Sequence, residues 1–501
     1  MKHSVILNTL FLGFFIGFIV EMVFLQRVWR KKTTDAFKGV FNQEASDSAK
    51  VSHDSDMKNV GENDKSYVSG VYYSNWSPFP PRSHFPHDVN LERITHLYYS
   101  FFIIDQDTGE CKSSDEWSDF QMDTYKDWYA KSYGLHDENR HHSHDAKEVL
   151  PMGCLGELFY LRKARHLSKL NITDGAEQFS TILSIGGWSN RQAFPVIVRD
   201  KNKMGAFIRS AVESMVKYGF DGIDIDWEFP RNDGIEPQAY CDLMSSLKEA
   251  LSNLEKTIFG ADSENHFLLT TAIPALVENL EFLPLSQVDE YVDYWNLMAY
   301  DFSGSWSSKT AYHSSLFASK NDQTTPCTDM GVRFLIDQAK VPSRKIVLGM
   351  PAYGRGFTRV KLHAYDEPVI GHNFKGVGGA SEGEPGIWQY NQLPLNGTEE
   401  QFDADAVSAY SIDVQKRTLV VYDNTESMKR KAQYVMDNNL AGGFWWESCG
   451  DYQTDKSRSL IVTFTDVLPA LDKKPSIFTR TEMANFYAAH YPSELLSQIL
   501  K

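Results

Sequence analysis

The sequence is expected to fold as an α/β barrel with a small α+β insertion, preceded by a hydrophobic N-terminal segment and a polar stalk. Three observations lead there. Eight short apolar runs rich in β-branched and aromatic residues alternate with longer amphipathic stretches, the pattern of repeated βα units. Polar and aromatic residues gather where those runs end, which is where a TIM (β/α)8 barrel carries its chemistry. A length of 501 residues leaves room for one such barrel with appendages.

Residues 5–25 are apolar and about long enough to span a bilayer, with Lys2 before them and Arg27, Arg30, Lys31 and Lys32 after. No small-x-small cleavage site follows, so residues 1–32 read as a signal anchor in preference to a cleaved signal peptide. The flanking charges alone would leave the rest of the chain in the cytoplasm. Two sequons, Asn171-Ile-Thr173 and Asn396-Gly-Thr398, would carry glycan only on the lumenal side. A third, Asn75-Trp-Ser77, precedes Pro78 and falls at the expected active face, which argues against its use. Residues 33–66 are polar and poor in aromatics, a flexible stalk.

The expected strands are Val68–Trp76, Thr95–Ile104, Ser180–Trp188, Gly219–Glu228, Phe267–Pro274, Val292–Asp301, Ile346–Tyr353 and Ala441–Trp446, within a barrel spanning 67–470 and followed by a tail, 471–501. Their C-terminal ends carry Tyr72 and Trp76, then Phe101, Trp188, Glu228, Tyr300 with Asp301, Tyr353 and Trp446. Amphipathic helices are expected over Gln192–Lys217, Gln238–Thr257 and Glu426–Asn438, the last capped by Asn424 or Thr425. One insertion, about residues 105–165, holds His136, His141, His142 and His144, which read as a solvated loop rather than a metal site. The other, about 355–420, follows Met350-Pro-Ala-Tyr-Gly-Arg-Gly-Phe357 and has short strands with Gly and Pro turns.

Net charge of −16 argues against nucleic acid or an anionic membrane surface as the main partner. The 13% of aromatic residues suits sugar stacking. Five cysteines are too few for a disulfide scaffold, although Cys111 and Cys154 flank one segment and a bridge between them is a possible pairing.

The fourth strand is the richest in chemistry. In Asp221-Gly-Ile-Asp224-Ile-Asp226-Trp-Glu228, period two puts Asp224, Asp226 and Glu228 on one face and Ile223, Ile225 and Trp227 on the other. Alternate carboxyls stand roughly 6–7 Å apart along a strand. Acids so close and partly desolvated cannot all ionise freely, so one pKa should be raised, the preparation a general acid needs. A calcium loop would want glycine and asparagine at offset positions instead of strict alternation.

The same eight residues resemble the signature of family 18 glycoside hydrolases, the chitinases and their relatives. Ser184-Ile-Gly-Gly187-Trp188, Asn296-Leu-Met298-Ala-Tyr300-Asp301 and Gly442-Gly-Phe-Trp-Trp446 resemble the motifs of the family's third, sixth and last strands. Tyr73-Ser74-Asn75-Trp76 and Asp451 give a layout similar to fungal chitinases of the sporulation type. The resemblance covers about residues 67–470 and implies a TIM barrel with the insertion walling one side of a substrate groove.

It also implies endo-acting hydrolysis of β-1,4-linked N-acetylglucosamine polymers, as in fungal cell-wall or spore-wall remodelling, with no cofactor or metal. Glu228 would be the acid and base, and Asp226 would hold the acetamido N–H. Asp224 would share a proton with Asp226, supported by Ser184, while Asp221 faces away and is structural. Tyr300 would orient the acetamido oxygen, supported by Asp301, and Trp446 would form the floor under the sugar. Tyr72, Trp76, Phe101, Trp188, Met298, Trp306, Tyr353 and Arg355 would line the groove. Chitin or its oligosaccharides would be the partner, bound by a monomer tethered to a membrane on the outer side of the secretory pathway. An endo-N-acetylglucosaminidase of N-glycans and a chitin-binding lectin are the alternatives. The intact Glu228, Asp226 and Tyr300 argue against the lectin, and the tryptophan set argues for a linear polymer.

Overall fold

The computed structural model describes residues 65–124, 152–163, 178–322, 325–361, 368–379 and 384–477. The apolar segment 5–25, the stalk up to residue 64, the histidine cluster, Asn171 and residues 478–501 lie outside the described residues.

The strands in chain order are β1 (Val68–Ser74), β2 (His96–Ile104), β3 (Cys111–Ser113), β4 (Ser180–Gly186), β5 (Gly222–Asp226), β6 (Leu268–Pro274), β7 (Tyr294–Met298), β8 (Ile346–Pro351), β9 (Tyr353–Thr358), β10 (Ile387–Gln389), β11 (Glu400–Asp403), β12 (Ser408–Asp413), β13 (Thr418–Tyr422) and β14 (Gly442–Trp446). Eight of them, β1, β2, β4, β5, β6, β7, β8 and β14, pair in parallel in that order, and β14 returns to β1 to close a barrel. Each expected strand is present, shortened by one to five residues because its ends turn into loops. The short β3 folds back antiparallel on β2.

The main helices are α1 (Glu116–Phe120), α2 (Gly153–Lys163), α3 (Lys201–Lys217), α4 (Glu236–Phe259), α5 (Thr425–Asp437) and α6 (Leu460–Val467). The expected single helix over Gln192–Lys217 is two. A short one, Ala193–Ile197, ends, and the Asp200 carboxylate restarts the chain as α3 by accepting the N–H groups of Asn202 and Lys203. Asn424 is the cap of α5, accepting from Glu426 and Ser427. Residues 249–266 group as a second compact unit, in which Thr257 Oγ1 donates to the Asn253 carbonyl.

A second sheet, ordered β10-β9-β13-β12-β11 and antiparallel, is inserted after β8. Phe357, Val360, Ile370, Leu419 and Val421 form its core. Past β14, the Asp451 carboxylate accepts from Ser459 Oγ and Leu460 N at the start of α6. The chain then runs beneath the N-terminal end of the barrel. Tyr67 N donates to Ala470 O (3.0 Å), and Asp472 N donates to Tyr67 O (2.8 Å). Asp221 Oδ1 accepts from Ser476 Oγ (2.5 Å) and Ile477 N (2.7 Å), so the residues just after 470 are part of the barrel floor.

All five cysteines are free and buried, so Cys111 and Cys154 do not pair. Cys154 Sγ instead rests 3.8 Å from Tyr73 Oη and 3.5 Å from Ser118 Oγ. Asn75 is buried, and its amide donates to Ser114 Oγ (2.8 Å) and Asp119 Oδ1 (3.0 Å), which leaves it no room for a glycan; Asn396 is exposed. Among the described residues no helix is long and apolar enough to cross a membrane.

Candidate active site

Strand β5 divides its side chains as period two requires. Ile223, Ile225 and Trp227 are buried, and Trp227 stacks on Phe194 with centroids 5.2 Å apart. Asp224 points into the barrel and is saturated with donors from four other strands. Thr270 Oγ1 (2.7 Å) and Asn296 Nδ2 (3.3 Å) reach Oδ1, while Ser184 Oγ (2.7 Å) and Tyr72 Oη (2.9 Å) reach Oδ2. Burial raises its pKa and those four hydrogen bonds oppose the rise.

Asp226, one step nearer the mouth, has the opposite environment. It is buried, and its Oδ1 has no hydrogen-bond partner. Burial, then the charges of Glu228 and Asp224, push its pKa well above the carboxylate range. The expected proton link between Asp224 and Asp226 is not a hydrogen bond here, because Asp224 spends its oxygens on the four donors. Glu228 lies just past the strand end, half-buried. Burial and then the charge of Asp301 push it up to about 7, against the Trp188 backbone N–H and Arg191. A carboxylic acid that keeps its proton near neutral pH is poised to protonate a leaving group. The chain can cross this tip because Gly186 and Gly187 have φ of 124° and 78°, and a Cβ on Gly186 would stand 2.2 Å from Asp226 O.

Around the acids lies an aromatic basin. Trp446 stacks on Phe101 (5.5 Å) and meets Trp76 (6.3 Å) and Tyr72 (5.6 Å). Met298 and Tyr300 pack with Trp446 against Phe444, Tyr98 and Tyr72. Burial, then Asp226 and Glu228, raise the Tyr300 phenol, which keeps it a donor. Asp301 Oδ1 accepts from Tyr353 Oη and Arg355 Nε, both at 2.6 Å. Partial desolvation would raise its pKa, but the Arg355 charge beside it holds it below the usual range. The Arg355 guanidinium sits 4.7 Å from the ring of Trp306. Trp306 and Trp188 are largely exposed, as platforms at a groove would be, and Arg191 covers one face of Trp188 at 3.9 Å. Non-proline cis peptides occur at Ser100–Phe101, Glu228–Phe229 and Trp446–Glu447, all at this mouth. Among the described residues no group of three or more His, Cys, Asp and Glu is arranged to hold a metal ion.

Residues 68–451 match the description "Glycosyl hydrolases family 18". The chain belongs to this family. Sporulation-specific chitinase 2 of Saccharomyces cerevisiae is 42% identical over 505 residues, 98% of this chain and 94% of the yeast protein. Endochitinase 1 of Metarhizium robertsii is 34% identical over 399 residues, 79% of this chain and 84% of its own length. Two solved structures share the fold. A Bacillus thuringiensis chitinase has a TM-score of 0.66 at 23% identity, covering 82% of this chain and 71% of its own. A Cycas revoluta chitinase of the same family, in complex with (GlcNAc)3, has a TM-score of 0.60 at 24% identity, covering 80% and 99%. In family 18 terms this chain is a glycosidase with its acid signature on β5.

The structure brings together Asp224, Asp226, Glu228 and Tyr300 at one barrel mouth, with Trp446, Trp76, Phe101 and Met298 on one side and Asp301, Tyr353 and Arg355 on the other. Tyr72 departs from its expected groove-lining place. It is 2% exposed, and its hydroxyl is spent on Asp224. Sequence reasoning missed Thr270 as a donor to Asp224, although register places the two side by side on β6 and β5. It also missed Arg82, whose Nη1 pairs with Glu447 Oε1 at 2.5 Å and whose guanidinium lies 5.9 Å from the Trp76 ring. No motif surrounds Arg82 that could have revealed it.

Proposed function

We propose that this family 18 enzyme hydrolyses chitin and its oligosaccharides within the chain, with retention, using the substrate's own acetamido carbonyl as nucleophile. One observation carries the reading: Asp224 and Asp226 stand on β5 with Glu228 just past its end, all from one segment, and the nearby carboxylate Asp301 is locked to Tyr353 and Arg355. Ordinary glycosidases flank the scissile bond with two carboxyls, one of which attacks or activates water. Among the described residues no free carboxylate stands across from these acids to do that. The attack falls to the substrate, closing an oxazolinium ring and expelling the leaving sugar.

Glu228 gives its proton to the leaving oxygen and later takes one from water. Asp226 offers its unpartnered Oδ1 to the acetamido N–H, beside the ring that becomes cationic. Asp224 shapes the field behind it. Tyr300 donates to the acetamido oxygen from the other wall, and Trp446 packs beneath the sugar. Trp76, Trp188 and Trp306 are the stacking surfaces of an open groove, with Phe101 packed behind Trp446. Likeness to the sporulation-specific yeast chitinase supports a role in fungal wall remodelling.

The nucleophile is tested on partly deacetylated chitosan. New reducing ends should be N-acetylglucosamine almost without exception, with product appearing first as the β anomer. Substantial glucosamine at the new ends would mean that a protein carboxylate attacks. Chitotetraose cleaved in preference to a high-mannose glycoprotein separates this reading from an N-glycan hydrolase. The apolar residues 5–25 and the exposed sequon at Asn396 support a membrane-tethered barrel outside the cytoplasm. Native protein released by alkaline carbonate, or lacking glycan at Asn396, would refute that placement.

A further inference from the structure

One fully buried titratable group at the mouth has no part in the chemistry above. His313 is 0% exposed, and its Nδ1 lies 3.7 Å from Asp301 Oδ1, an electrostatic contact longer than a hydrogen bond. Its ring centroid is 5.2 Å from that of Tyr353. Its backbone carbonyl accepts the N–H of Phe302 (3.0 Å), and Ser303 Oγ donates to Ala311 O (2.6 Å). Residues 301–313 are therefore a loop sewn shut at its base, with Asp301 at one end, His313 at the other and Trp306 between them.

The base is fixed from behind. Lys431 Nζ on α5 donates to Ser314 O (2.7 Å) and to Asp423 Oδ2 (2.6 Å), both inside the protein. Asp301 itself has φ of 62°, a left-handed conformation that its surroundings must maintain. Tyr353 and Arg355 both bind the carboxylate through Oδ1, and the histidine ring faces that same oxygen.

We propose that His313 is a positioning residue for catalysis: it holds the Asp301 carboxylate in its place beside Glu228, and by fixing that negative charge it sets the upper pH limit of activity. The proposal rests on the chitinase reading for its assay. The groups facing His313 are Asp301 after β7, Tyr353 and Arg355 on β9, and Asp423 after β13, with Lys431 of α5 on the adjoining carbonyl. Burial keeps the imidazole below its ordinary value, against Asp301 and Asp423, so near neutral pH it is an uncharged dipole. With its proton on Nδ1, that dipole points its positive end at Asp301. The groups facing Glu228 are Asp301, Arg191, Asp226 and Tyr300. A negative charge at a fixed distance makes Glu228 harder to ionise, and a carboxylate that can turn about its two Oδ1 hydrogen bonds does so less.

The test is the pH profile of kcat/KM on chitotetraose for His313→Leu, His313→Asn and Asp301→Asn. In His313→Leu the basic limb should move to lower pH by about half a unit or more, the acid limb staying in place. His313→Asn, whose amide offers a donor where Nδ1 stood, should restore most of the limb. Adding His313→Leu to Asp301→Asn should move it no further than Asp301→Asn alone. An unmoved limb, an equal loss at every pH, or Leu and Asn behaving alike would overturn the proposal. If His313→Leu does not fold, His313→Asn is compared with His313→Gln, whose donor lies at the Nε2 position, and equal limbs overturn it. Wild-type protein without turnover would end the chitinase reading instead. Normal wild-type turnover with an unmoved variant limb ends only this one.

Discussion

Replacing Thr270 by valine tests the account of Asp224 with little change of shape. The hydroxyl donates to Asp224 Oδ1 at 2.7 Å in a site with no exposed surface, and valine fills nearly the same volume without a donor. A hydrogen bond to a charged group is worth about 1.5–3 kcal/mol. One pKa unit corresponds to about 1.36 kcal/mol, so Asp224 should become harder to ionise by roughly 1–2 units. The sign follows from linkage. Burial already holds the folded pKa of Asp224 above its ordinary value, so this group favours the fold at low pH and loses that contribution as pH rises through its folded pKa. Valine enlarges the loss. Urea unfolding of both proteins between pH 4 and 8 should show the variant weaker by about 2 kcal/mol at the upper end, the gap narrowing toward acid. A gap under about 0.5 kcal/mol, or one independent of pH, would refute the reasoning.

Two further outcomes are expected. Glu228→Gln should fold and still bind chito-oligosaccharides while hydrolysing them at least ~10²-fold more slowly, and turnover within a few-fold of wild type would remove Glu228 from its role. Because the acid form of Glu228 is the active one and its pKa is raised to about 7, kcat/KM should fall as pH rises through that region. A rate still climbing well above it would contradict the assignment.

The barrel and the acid strand were legible for a simple reason. A period of two fixes which face each residue of β5 takes, and one buried face with one acidic face leaves a single arrangement. The aromatic ends of β1, β2 and β14 were legible because position along a strand sets height in the barrel. What the sequence could not convey is which residues from distant strands converge. Tyr72 looks like a groove residue on its own strand, yet its hydroxyl meets an acid 152 residues later. Thr270 looks like any β-branched strand residue until register sets it beside Asp224. His313 lies outside the strands, and only closure of the 301–313 loop brings it to Asp301. The break in the helix before α3 was missed because the apolar period continues across it, while Asp200 supplies a new cap.

The floor clasp at Asp221 has a consequence in time. Oδ2 of Asp221 accepts the Thr181 N–H within the first half of the sequence, but Oδ1 waits for Ser476, which is 255 residues further on. At roughly 5–20 residues per second, the ribosome needs on the order of tens of seconds to cover that distance. For most of that interval, until Trp446 is made, β1 has no β14 to pair with. The nascent chain therefore carries its complete acid ladder in an open sheet, without the wall that holds Trp446. Catalytic competence arrives as a late event, after the last strand has been made and its floor secured, so a ribosome that stalls in the insertion leaves a chain with every acid and no enzyme.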